Sequence, residues 1–333
     1  MKRDPDSAGS QGDGFDEFEW IDRLRPLTQG DPRALDLKDD AAVIPGRPGF
    51  ELVISKDAMV AGVHFLEDEP GDRIAKRLLR TSLSDLAAKA AQPFGYFLMA
   101  AWPDIRGRLD REAFIRGLME DGETFQVALL GGDTVRTPGP LTLSATVLGW
   151  RPSGQTLARS GARAGDVVMI CGVIGDGWLG LKAARGEVAD LHGRLATHYR
   201  TPEPLLKLRS PLSAYARAAA DVSDGLIADA LNVAQASGLG LSLDLGELPL
   251  SEEAVAWLGL QADEGEGRLA LAAGGDDYAI VCAIAPDQVD VFARTVAALG
   301  AAVSAAGLFT ADPTLVVRHS GRTLEVKVHG YRH

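Results

Sequence analysis

The chain has 333 residues, 46 % of them apolar and 24 % charged, enough to bury the cores of roughly two domains of about 100–200 residues each. Its 46 acidic against 34 basic residues give a formal charge of −12, which argues against a surface built to neutralise nucleic-acid phosphates. The longest apolar runs fall well short of the roughly 20 residues of a membrane span, and residues 1–14 carry no signal-peptide core, so a cytoplasmic protein with a loose polar tail is expected.

After that tail, Phe18, Ile21 and Leu24 at helical spacing predict a helix over 15–24, stopped by Pro26. A strand is expected over 51–55, a helix over 72–91, a strand over 96–102, a helix over 111–125, and strands over 127–130 and 141–150. Periodicity lapses between Arg151 and Gly165, where Pro, Ser and Gly cluster, so a domain boundary is placed there. Beyond it come a strand over 166–171, a Gly-rich turn into a helix over 178–184, helices over 211–220 and 226–237, and a strand over 239–245. Strands over 278–283, 302–308 and 315–318 follow, with a helix over 286–299. The mixture predicts an α/β or α+β fold of two domains, 15–150 and 151–333. Cys171 and Cys282 sit in apolar runs and read as buried thiols.

Six short segments carry Asp where a plain core or surface does not need it. They are Lys38-Asp39-Asp40, Ser55-Lys56-Asp57, Ser84-Asp85, Gly131-Gly132-Asp133-Thr134, Asp221-Val222-Ser223-Asp224-Gly225 and Gly274-Gly275-Asp276-Asp277-Tyr278. Several adjoin apolar strands, and loops at strand ends are where open α/β sheets hold ligands. Magnesium takes oxygen ligands from a few carboxylates, water and substrate phosphate. Glycine beside Asp lets the backbone approach a phosphate. Repeated in this way, the segments point to a magnesium-dependent phosphoryl-transfer enzyme. One Gly-Gly-Asp alone would read as an ordinary turn.

Other phosphate machinery is missing from the sequence. No G-x-x-x-x-G-K-[ST] loop and no H-R-D with D-F-G occurs. Gly175-Asp-Gly177-Trp-Leu-Gly180 fits G-x-G-x-x-G, but no second strand ending in an acidic residue follows at the dinucleotide-binding distance. Two uses stay open for it: tight strand-to-helix packing, or a helix N-terminus aimed at phosphate.

Taken together, the chain resembles the thiamine-monophosphate kinase family of the aminoimidazole ribonucleotide synthetase-like superfamily. The resemblance runs from about Phe15 to His333. It rests on Asp39-Asp40-Ala41, Val60-Ala-Gly-Val-His64-Phe65, Leu83-Ser-Asp85-Leu-Ala-Ala, Leu130-Gly-Gly-Asp133-Thr, Ala158-Arg159-Ser-Gly-Ala, Asp221-Val-Ser223-Asp224-Gly-Leu and Gly274-Gly-Asp276-Asp-Tyr278, in that order. It implies ATP-dependent phosphorylation of thiamine monophosphate to thiamine diphosphate, with several Mg²⁺ ions. It also implies a homodimer formed through the strands of an N-terminal mixed sheet, a sandwich-like C-terminal α/β domain, and an active-site cleft between the domains.

Carried over residue by residue, Asp40, Ser55, Asp57, Asp85, Asp133, Asp221 and Asp224 match the family's magnesium positions, with Asp133 and Asp224 central to catalysis. Gly132, Asp133, Arg159 and Ser223 match its ATP contacts. His64, Asp276 and, in the terminal Gly330-Tyr331-Arg-His333, Tyr331 match its substrate contacts. Three positions depart from the family pattern: Lys38 stands where Gly often precedes the paired Asp, Lys56 where Ser or Thr often precedes Asp57, and Asp276 where Glu is common. Two other readings stay open, a superfamily member with a different small phosphate acceptor and a non-catalytic nucleotide or thiamine-phosphate binder.

Overall fold

A computed structural model describes residues 17–327 and 329–330. Residues 1–14 and Tyr331 lie outside the described residues. The chain forms two compact units. One comprises the described residues up to Pro45 together with Asp57–Leu78 and Gly95–Thr146; the other comprises Gly46–Lys56, Leu79–Phe94 and the rest from Val147.

The first helix, α1, spans Glu17–Leu24, and two single-turn segments follow it, Arg25–Thr28 and Pro32–Leu37. Then come β1 (Phe50–Val60), α2 (Gly71–Ala88), β2 (Gln92–Pro103), α3 (Arg108–Phe125), β3 (Ala128–Thr137) and β4 (Thr142–Pro152). The four strands form one sheet in the order β1-β4-β2-β3, with β2 and β3 parallel. The amphipathic pattern of α2 holds: Ile74, Ala75, Leu78, Leu83 and Leu86 are all buried. Trp102 packs edge-on against Phe114 of α3, with ring centroids 5.4 Å apart.

The remaining elements are β5 (Val167–Cys171), α4 (Asp176–Ala184), α5 (Arg194–Arg200), α6 (Arg209–Tyr215), β6 (Ala216–Val222), α7 (Leu226–Ala236), β7 (Gly240–Asp244), α8 (Glu252–Leu258), α9 (Glu264–Ala273), β8 (Ala279–Ile284), α10 (Val289–Ala298), β9 (Val303–Thr310), β10 (Leu315–His319) and β11 (Arg322–Thr323). Their seven strands run in the order β11-β10-β7-β9-β5-β8-β6. Only the β10–β7 pair is parallel. Side chains of β8 alternate between two cores, as the pleat requires. Val281 and Ala283 join Leu226, Ile227, Val233 and Phe309 on one face, and Ile280, Cys282 and Ile284 join Leu212, Phe292 and Val296 on the other. Both cysteines are free and buried, as their apolar flanks suggest.

The predicted helix over 211–220 is half right. It ends at Tyr215, and Ala216–Val222 is strand β6, paired antiparallel with β8. An alanine-rich run favours helix in isolation, but here Ala218, Ala220 and Val222 fill one core and Ala219 the other. Helices α5, α8 and α9 were not foreseen in segments dense in charge and glycine; α8 and α9 are nonetheless capped at their starts by Ser251 and Asp263.

Two acidic segments placed in loops lie inside strands. Ser55-Lys56-Asp57 is in mid β1, and Gly131-Gly132-Asp133-Thr134 is in mid β3. Polar side chains at a sheet surface keep the strand alternation without filling a core, so the apolar runs marked only part of each strand.

Candidate active site

In the first unit a cavity of about 340 Å³ is lined by Trp20, Leu24, Phe97, Leu129 and Leu130 and by the polar run Gly131–Thr134. Asp39 and Asp40 border it from the segment before β1. The cavity is therefore apolar on one side and carboxylate-lined on the other, a form suited to a nucleobase with its phosphates. Strand β3 supplies the second side because glycine lets it lie close to β2. Gly132 sits opposite Leu98, and a Cβ there would come within 1.9 Å of the Leu98 carbonyl oxygen. Next along the strand, the Asp133 side chain is exposed. The Trp20 indole N–H donates to the Thr134 hydroxyl at 3.0 Å, fixing the aromatic wall to the same strand. Trp20 was not singled out from the sequence, where it reads only as one apolar position on a helix.

Lys38 pairs with Asp36 at 2.5 Å, and both are exposed. Successive strand residues face opposite ways, so Lys56 leaves the face shared by Ser55 and Asp57. His64 is pinned rather than loose. Its Nδ1 accepts the Val60 N–H at 3.0 Å, so a neutral ring carries its proton on Nε2. The Arg77 guanidinium donates to the His64 carbonyl at 3.0 Å.

The second unit gathers a second set. The Ser55 hydroxyl donates to the Asp85 carboxylate across β1 and α2. Asp221 is buried near the end of β6, and Ser223 and Asp224 follow in the turn before α7. Arg159 is exposed on a segment tied to β6, where the Ala219 N–H donates to the Ala158 carbonyl at 3.0 Å. Lys89, one turn beyond Asp85, donates to the Ala219 carbonyl at 2.8 Å. Burial and the Arg159 charge push its ammonium pKa down, while Asp221 and Asp85 oppose the shift.

Two buried aspartates shape the loops that carry these groups. The Asp229 carboxylate accepts the N–H groups of Ser223 and Asp224 at 3.1 and 3.0 Å. Burial, helped by the Asp224 charge, pushes its pKa up to about 6. Asp277 accepts N–H groups from Gly175 and Gly177 at 2.9 Å, and burial holds its pKa well above the usual carboxylate range.

The Gly175–Gly180 motif is thereby explained. The N-terminus of α4 is occupied by the protein's own carboxylate, and a Cβ on Gly177 or Gly180 would come within 2.2 Å of a neighbouring backbone oxygen. Tight strand-to-helix packing is the use that these close approaches support. Neither Asp229 nor Asp277 was distinguishable from its acidic neighbours in the sequence, because their burial and the backbone N–H groups they accept come from the folded chain.

Asp276 has a left-handed backbone, φ +62°, and its N–H donates to the Ser223 carbonyl at 2.8 Å. The Tyr278 hydroxyl donates to its carboxylate at 2.9 Å. The substrate-matched Asp276 and the nucleotide-matched Ser223 are thus locked together. Gly330 lies against the same turn, where a Cβ would come within 2.5 Å of the Asp224 carbonyl oxygen.

No set of three His, Cys, Asp or Glu side chains among the described residues is gathered closely enough to hold a metal by itself. The donors are of the kind that fits magnesium all the same. Magnesium usually takes one or two carboxylates and completes its shell with water and substrate phosphate. The Ser55–Asp85 pair and the Asp39, Asp40 and Asp133 border of the cavity are oxygen donors of that kind.

Residues 38–150 match the N-terminal domain, and residues 163–320 the C-terminal domain, of the AIR synthase related proteins. The thiamine-monophosphate kinase of Caulobacter vibrioides is 55 % identical over 318 residues, covering 95 % of this chain and 90 % of that protein. The crystal structure of the thiamine-monophosphate kinase from Stenotrophomonas maltophilia K279a superposes with a TM-score of 0.80 at 32 % identity, over 92 % of this chain and 98 % of that one. AaThiL, solved with AMPPCP and TMP, shares the fold at 22 % identity, with a TM-score of 0.75 over 95 % and 97 % of the two chains. The chain belongs to the AIR synthase related proteins and, within them, to the thiamine-monophosphate kinase family.

Proposed function

We propose that the chain transfers the γ-phosphoryl group of ATP to thiamine monophosphate, giving thiamine diphosphate and ADP. The observation that carries this reading is the cavity with an aromatic and aliphatic wall and a Gly132-Asp133 strand, bordered by Asp39 and Asp40. It lies in a chain 55 % identical to a thiamine-monophosphate kinase over nearly its whole length. Trp20, Phe97 and Leu129 would hold the base, and the close-lying backbone of Gly131 and Gly132 would admit the phosphates. Arg159 would add a fixed cation for the nucleotide phosphates.

The chemistry asks little of the protein beyond placement. A terminal oxygen of the acceptor phosphate attacks the γ-phosphorus in line, the bond to the bridging oxygen breaks, and ADP departs. That oxygen is already anionic near neutral pH, so no strong base is needed. Asp40, Ser55, Asp57, Asp85, Asp133, Asp221 and Asp224 are our candidates to hold Mg²⁺. When bound, the metal would neutralise phosphate charge during transfer. His64 and Asp276 are the candidates for the thiamine monophosphate end, each held by the backbone contacts described above.

We further infer two domain roles, with residues 15–150 serving nucleotide, metal and dimer contacts and 151–333 completing the site. The dimer reading draws on Leu52 and Ile54, which stand exposed on β1, an edge strand of its sheet. A cytoplasmic setting is part of the same proposal. No helix among the described residues is long and apolar enough to cross a membrane.

A coupled assay for ADP release, run with and without thiamine monophosphate, tests the function. Release that depends on the acceptor supports it. Release with another phosphate acceptor only, or none at all, would replace it by one of the two readings left open by the sequence.

A further inference from the structure

The Lys89 ammonium is placed where three elements of the second unit meet. It lies one helical turn beyond Asp85, and the Lys89 N–H still donates to the Asp85 carbonyl at 3.1 Å. Its side chain crosses to β6 and donates to Ala219, two residues before Asp221. The same Ala219 holds the segment carrying Arg159 through the Ala158 carbonyl. Arg151, itself buried, donates to the Lys89 carbonyl, which fixes the backbone from which the side chain departs. The charged groups acting on the ammonium are Arg159, Asp221, Asp85 and Arg151. Two of them are carboxylates assigned to magnesium.

We propose that Lys89 is a built-in counter-cation of the Asp85 and Asp221 carboxylates, holding them in place without metal and setting how tightly they take a divalent cation. The inference rests on the magnesium reading of those two residues. Converging carboxylates repel unless a cation lies near. A half-buried lysine tethered to a backbone carbonyl supplies one at a fixed place. Its presence weakens the added attraction for a second cation, so the site binds magnesium reversibly with the nucleotide instead of trapping it.

The hydrogen bond and the charge can be separated. Lys89→Gln removes the charge and retains a donor for Ala219; Lys89→Met removes both. Each is compared with the wild type by thermal unfolding in EDTA and then across a Mg²⁺ series, and Mn²⁺ binding is measured directly by electron paramagnetic resonance. Expected in Lys89→Gln are a lower midpoint in EDTA, a larger Mg²⁺-induced rise, and a Mn²⁺ dissociation constant about three- to tenfold below wild type, the size set by losing one screened charge. Lys89→Arg should stay within about twofold of wild type, because it keeps the charge.

An equal loss of midpoint with and without Mg²⁺ and unchanged Mn²⁺ affinity in Lys89→Gln would overturn the proposal and leave Lys89 a structural tether. If the wild type itself neither binds Mn²⁺ nor gains stability with Mg²⁺, the magnesium reading fails instead. Should Lys89→Met not fold while Lys89→Gln does, the comparison stands on the latter. Lys89→Arg binding Mn²⁺ as tightly as Lys89→Gln would also count against the charge.

Discussion

The two groups of acidic residues are built in opposite ways. In the first unit Asp39, Asp40 and Asp133 are exposed around a cavity, on a strand and a short segment. In the second, Asp229 and Asp277 are buried, and each accepts backbone N–H groups. An exposed carboxylate keeps its water and can exchange it for a cation or a phosphate-bound metal. A buried one must be satisfied by the protein, and the protein uses it to fix a loop. The same residue type is thus left open to solvent in one place and used for construction in the other, and the backbone N–H groups that Asp229 and Asp277 accept mark the second use.

The sharpest way to break this contrast is to neutralise one member of each kind. Asp133→Asn, and likewise Asp224→Asn in the turn between the buried groups, should lower turnover on the order of 100-fold while the unfolding midpoint stays close to wild type. Wild-type turnover in either purified variant would remove it from the catalytic set.

Asp277→Ala should do the reverse. It leaves the buried N–H groups of Gly175 and Gly177 without an acceptor, a loss of about 2–3 kcal/mol in denaturant unfolding. Asp277→Asn, which keeps an acceptor oxygen, should recover most of it. Equal stability of Asp277→Ala and wild type would mean that the helix start is not held by this carboxylate.

Asp229 gives the smallest effect and the one with a pH signature. Its folded pKa of about 6 lies above the roughly 3.9 of an unfolded Asp, so the folded state binds the proton more tightly. The resulting stability is complete below about pH 4 and is lost as pH rises through 6. Asp229→Asn has no charge to bury and can still accept the two N–H groups at one oxygen. In EDTA it should exceed wild type by about 1–2 kcal/mol at pH 8, with the advantage vanishing below about pH 4. A constant difference across that range would show that burial is not what acts on this group.

Much of the plan was legible in the sequence because it depends on period and order. The inward row of α2, the apolar run of β8 with Cys282, and the helices α3, α7 and α10 all follow from apolar spacing that short-range geometry imposes. The order of the Asp-bearing segments was enough to place the chain near its family. What escaped were features that depend on partners far away in sequence. The alanine run of β6 became a strand because β8 lies beside it, and the helices α8 and α9 form among charges that spacing alone could not rank.

The site divides along the same line. Sequence by itself determined which carboxylates, glycines and the arginine are available, and in what order, since these are properties of the chain. Only the tertiary structure decided that Asp133 stands exposed on a strand beside Trp20, that Lys56 leaves the face of Ser55 and Asp57, that Asp277 caps the Gly175 turn, and that Lys89 reaches Ala219 beside Asp221. Burial and hydrogen-bond partners set the role of each polar group, and for Ser55, Asp277 and Lys89 the partners lie 30 to 130 positions away.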